Sequence, residues 1–283
     1  MWCDQKQVDP FEAPVNLVVE FLSELYQKGL EYRTINVYRS AISAYHRPIN
    51  GTQVGQIKEV CLLLSGIDNL RPPTPKYNVI WEVDEVLTCL KSLGPEENLS
   101  NKDLTLKTVM LMALTALKRC SDLHILDTRF MALGETKVVF KLSEKPKGFR
   151  RKGKTPEPVE FFTSGAELCP VSTIKNYIER TKTWREANSE TKFFLSHINP
   201  HKAVTSSTIG RWLKTVLGNV GVDISKFTAH STRSAASSKL KTLGASVQEI
   251  MNCGNWNSAS TWQNFYHKPI VSGLEQAQKI MLQ

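Results

Sequence analysis

The sequence predicts a mostly α protein with a small antiparallel β-sheet, built as a small helical domain followed by a larger mixed one. Three observations carry this expectation. Apolar residues recur at helical spacing along most of the 283 residues. Two short stretches rich in β-branched and aromatic residues, Lys137-Val-Val-Phe-Lys-Leu142 and Val159-Glu-Phe-Phe162, flank a basic loop and read as a β-hairpin. Finally, Arg71-Pro-Pro-Thr-Pro-Lys76 cannot continue a helix, because three prolines remove donors and fix the backbone, so it reads as an extended linker. The expected divisions are residues 1–70, a linker over 71–78, and 79–283.

The first seventy residues read as helical. Val15 to Gln27 has apolar positions at Val18, Val19, Phe21, Leu22 and Leu25, and Gly29 suits its end. Thr34 to Tyr45 follows, with Val37, Tyr38, Ile42 and Tyr45. The second domain opens with helices over Val83 to Leu93 and Thr105 to Leu117, then the hairpin that lifts its lysines away from the sheet. Helices resume over Val171 to Thr183, Ser206 to Leu217, His230 to Leu243, Val247 to Asn252 and Ala259 to Tyr266. Pro170 fits the first turn of one helix and Gly244 the end of another.

Composition narrows the function classes. At 41% hydrophobic the chain can bury a substantial core, and its length admits one large or two ordinary domains. Apolar runs such as Val109-Met-Leu-Met-Ala-Leu114 fall far short of the ~18 residues a membrane helix requires. Met1 to Pro10 is polar and carries acids, unlike a signal peptide. The six cysteines are scattered without a CxxC pair and read as reduced thiols of a cytosolic or nuclear protein. His197 and His201 have a metal-like spacing, but Pro200 lies between them and no cysteine pair accompanies them, so no metal is expected there.

The net charge of +9 is unevenly placed. Residues 1–80 hold eight basic and eight acidic residues, so the excess belongs to 81–283, where 28 basic residues face 19 acidic ones. Lys145, Lys147, Arg150, Arg151, Lys152 and Lys154 place six positive charges within ten residues and no acid among them, which suits a polyanion. A solvated hairpin tip or a nuclear-localisation sequence is the plainer reading of the same run.

The chemistry concentrates near the end of the chain. His230-Ser-Thr-Arg233 puts a histidine and an arginine on one helical face, and Trp256, Tyr266 and His267-Lys-Pro-Ile270 follow. Arginine offers planar donors that match two phosphate oxygens, and a tyrosine hydroxyl can form a phosphoester that is easily displaced again. A further cation comes from Thr115-Ala-Leu-Lys-Arg119-Cys-Ser-Asp-Leu123, where Lys118 and Arg119 close an apolar helix. The order Arg-x-Ser-Asp-Leu, basic hairpin, His-x-x-Arg, Gly-x-Trp and Tyr resembles the tyrosine recombinases, or phage-integrase-type DNA strand transferases. The whole chain is similar to the animal branch carried by DIRS-type and Crypton-type mobile elements. Tyr38-Arg-Ser-Ala-Ile-Ser43, Phe194-Leu-Ser196 and Arg211-Trp-Leu-Lys214 support the resemblance.

The resemblance implies a helical core-binding domain and a catalytic domain closing around duplex DNA, acting in the nucleus as a tetramer on paired sites. Arg119 and Arg233 correspond to the family's two clamp arginines. The hairpin lysine that protonates the departing 5′ oxygen corresponds to Lys147, or to Lys145 two residues away. His230 corresponds to the family's proton-exchanging histidine. Trp256 stands where the family uses histidine or tryptophan; it can position but cannot act as acid or base. Tyr266 is the implied nucleophile, and no cofactor or metal is required. Lys145, Arg150, Arg151, Lys152, Arg39 and Arg211 are the implied DNA contacts. Leu117, two residues before Arg119, replaces a common glycine. A domesticated DNA-binding protein that keeps the fold without strand transfer is the alternative, while a type IB topoisomerase would lack the N-terminal similarity. Leu274, Ala277, Ile280 and Met281 form a stripe at helical spacing, suited to docking on a neighbouring protomer.

Overall fold

A computed structural model describes residues 2–74, 76–146, 149, 156–165 and 167–270. The chain forms two compact units, Met1–Lys76 and Tyr77–Gln283. Lys147, Arg150, Arg151 and Lys152, and the C-terminal stripe from Leu274 to Met281, lie outside the described residues.

The first unit contains helices α1 (Trp2–Lys6), α2 (Val15–Gln27), α3 (Tyr32–Tyr45) and α4 (Lys58–Leu70). Val18, Leu22 and Leu25 on α2, Ile35 on α3 and Val60, Leu64 and Ile67 on α4 form its core. Gly29 turns the chain after α2 at φ +84°, a conformation that a Cβ disfavours. The helix α4 adds to the two helices whose bounds the sequence suggests. Arg71 ends it; its Nη1 donates to the Leu30 carbonyl at 3.1 Å and its guanidinium lies 4.4 Å from the Tyr26 ring, fastening the start of the proline-rich stretch to this unit.

The second unit opens with α5 (Val83–Ser92) and is organised around α6 (Asn101–Ala116), which is apolar and buried nearly all round. Such a helix sits in a core rather than on a surface. The Ser100 hydroxyl accepts the Asp103 amide and starts α6 earlier than apolar periodicity suggests. At its other end Leu117 takes a left-handed conformation at φ +50°, a backbone that glycine adopts without strain, but its side chain is fully buried. The short α7 (Cys120–His124) follows.

Strands β1 (Met131–Leu133), β2 (Lys137–Phe140) and β3 (Val159–Phe162) form an antiparallel sheet in the order β1-β2-β3, with Met131 opposite Phe140 and Lys137 opposite Phe162. The predicted hairpin is therefore two thirds of a three-stranded sheet. β1 is short and largely exposed, so it carries little alternation to read. The remaining helices are α8 (Pro170–Arg180), α9 (Lys182–Asn188), α10 (Ser206–Asn219), α11 (Ser231–Thr242), α12 (Val247–Gly254) and α13 (Ala259–Phe265). Pro170 stands in the first turn of α8, and Gly244 turns the chain after α11 at φ +94°.

Candidate active site

Four chain segments bring the candidate side chains together, and each is set by its local sequence. Arg119 precedes α7, where its amide donates to Asp122 Oδ2 at 3.1 Å. Its Nη1 lies 3.6 Å from the same carboxylate, which is nearly buried, so Asp122 holds the arginine by backbone and side chain together. The preceding Lys118 turns instead to α12, donating to the Cys253 carbonyl at 3.0 Å, and burial pushes its amine below the ordinary lysine range. Of this adjacent pair, Arg119 is the one whose charge bears on His230 and Arg233 together.

His230 stands immediately before α11 and Arg233 in its first turn. Arg233 is 2% exposed. Its Nη2 donates to the Gly254 carbonyl at the C-terminal end of α12, where carbonyl dipoles favour a cation. Its guanidinium lies 3.9 Å from the Trp256 ring centre and 5.3 Å from that of Tyr266. Nε and Nη1 are buried without a hydrogen-bond partner among the described residues. Burial, and then repulsion from Arg119, lower the affinity of this guanidinium for its proton. A buried cation with open donors is costly alone and is relieved by a bound anion.

Trp256 forms the floor. Asn255 turns the chain after α12 at φ +54°, and the indole folds back over Gly254, where a Cβ would overlap ring atoms. The Gly-x-Trp spacing therefore has a steric origin. The indole Nε1 is also buried without a partner among the described residues.

Tyr266 directly follows α13. Its hydroxyl lies 2.9 Å from His230 Nε2, and its ring meets Trp256 edge-on at 4.9 Å between centres. Burial, then the charges of Arg233 and Arg119, push the imidazole down to about 4. His230 as a whole residue is exposed to solvent, so the nearby charges of Arg233 and Arg119 weigh more in this shift than burial does. A ring held neutral at pH 7 can accept the tyrosine proton at Nε2, with its own proton on Nδ1; this tautomer is inferred from the hydrogen-bond geometry.

Arg119, His230, Arg233, Trp256 and Tyr266 thus share one site. Lys145 is exposed beyond the end of β2, and Lys147 lies outside the described residues. Arg211 is exposed on α10, with Nη2 donating to Thr208 Oγ1 at 3.0 Å. Arg39 belongs to the first unit and is partly engaged, its Nη1 donating to the Gly55 carbonyl at 3.0 Å. His201 stacks on Trp184 at 3.9 Å, and no cluster of three or more His, Cys, Asp or Glu suited to a metal occurs among the described residues.

The supports behind these groups are not among the residues that the sequence singles out. Trp81 Nε1 donates to Ser231 Oγ at 2.8 Å, and Ser234 and Ser238 both donate to the Tyr266 carbonyl. The segment Ser231-Thr-Arg-Ser-Ala-Ala-Ser-Ser238 has no large apolar side chain to mark it, yet every one of its residues is buried.

Residues 82–269 match the profile of the phage integrase family. The chain belongs to that family, the tyrosine recombinases, enzymes that break and rejoin DNA. No curated protein sequence matches it. Among solved structures it is similar to the XerH site-specific recombinase bound to palindromic difH substrate in a post-cleavage complex, with a TM-score of 0.61 and 16% identity over 96% of this chain and 73% of that one. It is also similar to the Tn1549 transposon integrase in complex with transposon right end DNA, with a TM-score of 0.57 and 14% identity over 95% of this chain and 85% of that one. At these identities the likeness is one of fold.

Proposed function

We propose that the chain is a site-specific DNA strand transferase that works through a 3′-phosphotyrosyl intermediate. The observation that carries this reading is the buried Arg233, with two donors open, beside a tyrosine hydroxyl already hydrogen-bonded to a histidine. A scissile phosphodiester is the anion that fits. Arg119 and Arg233 bind its non-bridging oxygens and stabilise the charge that builds in the pentavalent transition state. The Trp256 indole supplies a further donor.

In the forward step the Tyr266 oxygen attacks phosphorus and gives its proton to His230 Nε2. The bond from phosphorus to the 5′ oxygen breaks, and that oxygen takes a proton from a hairpin lysine, Lys147 or Lys145. The 5′ hydroxyl of a partner strand then attacks the phosphotyrosine in the reverse sense, so the bond energy is conserved. The first unit, with Arg39, and the exposed Arg211 contact the duplex, as do Lys145, Arg150, Arg151 and Lys152.

The chain assembles as a tetramer on paired sites, its C-terminal apolar stripe docking on a neighbouring protomer. On the resemblance of its motifs to those of DIRS-type and Crypton-type recombinases, we read the chain as of mobile-element origin and acting in the nucleus. The XerH and Tn1549 structures, which are DNA complexes of proteins with this fold, support duplex DNA as substrate. The test is incubation with a nicked suicide duplex carrying a site selected from random sequence. A covalent protein–DNA adduct supports the reading, and binding without an adduct on any selected duplex rejects it.

A further inference from the structure

The peptide of Tyr266 is held by side chains of the very helix that carries Arg233. Ser234 Oγ donates to the Tyr266 carbonyl at 2.5 Å, and Ser238 Oγ, one turn further along α11, donates to the same oxygen at 3.2 Å. Ser238 Oγ also accepts the Lys268 amide at 3.0 Å, so this hydroxyl grips the chain on both sides of His267. Both serines are buried, at 1% and 2% exposure. Ser231, on the same stripe of α11, accepts from Trp81, and the Ile80 amide donates to the Pro269 carbonyl at 2.9 Å. The segment from Tyr266 to Pro269 is therefore fastened at three successive points to elements of its own unit.

A carbonyl at a helix end has no partner within its own helix and takes one from a side chain, water or a ligand. Here two buried hydroxyls serve one carbonyl, that of the reactive residue itself, and they project from the helix whose start places His230 2.9 Å from the Tyr266 hydroxyl. The distance from nucleophile to base is thus set through α11 from both ends of the tyrosine. Small errors in such a distance are costly: a misplacement of about 1 Å lowers a rate by roughly 10²-fold.

We propose that Ser234 and Ser238 are positioning residues for the nucleophile, a hydroxyl clasp that presents Tyr266 to the phosphate bound by its own chain. The inference rests on the reading of Tyr266 as nucleophile and adds the device that aims it. Neither serine touches the phosphate; both act through the Tyr266 main chain.

The test uses the full chain labelled with 3-fluorotyrosine, with the Tyr266 line among the seven tyrosines assigned by loss in Tyr266→Phe. In the double variant Ser234→Ala, Ser238→Ala, the Tyr266 fluorine line moves to the position of a solvent-exposed tyrosine while the other lines stay in place. The Lys268 amide exchanges with solvent about 10-fold faster or more. Adduct formation on the nicked duplex falls by about 10²-fold at unchanged duplex affinity. Ser238→Thr, which keeps the hydroxyl, stays near the parent in all three readouts. An unmoved Tyr266 line with parental Lys268 exchange overturns the proposal. So does a shift of all the tyrosine lines together, which would make the serines general packing residues. A parent protein that forms no adduct removes the nucleophile reading, and that failure is distinct because the spectra still report whether the clasp holds.

Discussion

Replacing Gly254 by alanine strikes the floor of the site without touching a reactive group. A Cβ there would overlap Cζ3 and Cε3 of Trp256 and stand 2.7 Å from Cη2. Carbon atoms settle at about 3.5–4.0 Å, so the indole must withdraw by at least about 1 Å. Overpacking of this kind costs roughly 1–3 kcal/mol. For a unit of this size that corresponds to a fall in the unfolding midpoint of about 2–12 °C. The same displacement moves the ring that lies 3.9 Å from the Arg233 guanidinium and 4.9 Å from Tyr266, so adduct formation should fall by about 10²-fold. Calorimetry, tryptophan emission and the suicide-duplex assay read the three consequences. Gly218→Ala, next to last in α10, is the control: its Cβ would meet Ile224 at an ordinary 3.7 Å, and removing a helical glycine should raise stability by at most about 0.5–1 kcal/mol. If Gly254→Ala melts with the parent and keeps its emission spectrum, the steric account of the Gly-x-Trp spacing is wrong.

Other expectations follow from the same geometry. The His230 ring, pushed down to about 4, binds its proton less readily folded than unfolded, so its contribution to stability declines as pH falls from about 6.5 toward 4. Nuclear magnetic resonance of the DNA-free protein should show this imidazole titrating near 4, and a midpoint at or above 6.5 would contradict the arrangement of Arg119 and Arg233 around it. Leu117→Gly relieves a left-handed backbone worth roughly 1–2 kcal/mol but empties a fully buried site worth roughly 2–5, so its unfolding midpoint should drop. Ser189→Gly, exposed after α9 at φ +52°, should instead raise the midpoint, since only the backbone relief applies. Neutralising Arg150, Arg151 and Lys152 together should weaken binding to every duplex and flatten the salt dependence of affinity, with a loss of slope up to about 0.9 per phosphate contact removed; an unchanged slope would place the loop away from DNA.

Most helices were legible because their apolar periodicity and punctuation agree: Gly29, Pro170 and Gly244 stand where the chain turns or a helix begins. What escaped had no local signal. β1 is three residues with little burial, and α7 is five residues set by the capping of Asp122. Arg119, His230, Arg233, Trp256 and Tyr266, which the fold brings together, stand out in the sequence through the resemblance of their order to the tyrosine recombinases. Their supports do not, because Ser234 and Ser238 look like solvent-facing helix residues until the fold buries them against Tyr266. The reason for glycine before Trp256 likewise appears only once the indole is seen to fold back over the end of α12.

In the proposed reaction Tyr266 attacks a phosphodiester held by Arg119 and Arg233. The most direct measurement is mass spectrometry of the protein after incubation with a nicked suicide duplex bearing a selected site, comparing the parent with Tyr266→Phe. A nucleotide covalently attached to the peptide that contains Tyr266 is expected, with no adduct in Tyr266→Phe at nearly unchanged duplex affinity. An adduct on any other residue, or one that persists in Tyr266→Phe, would contradict it.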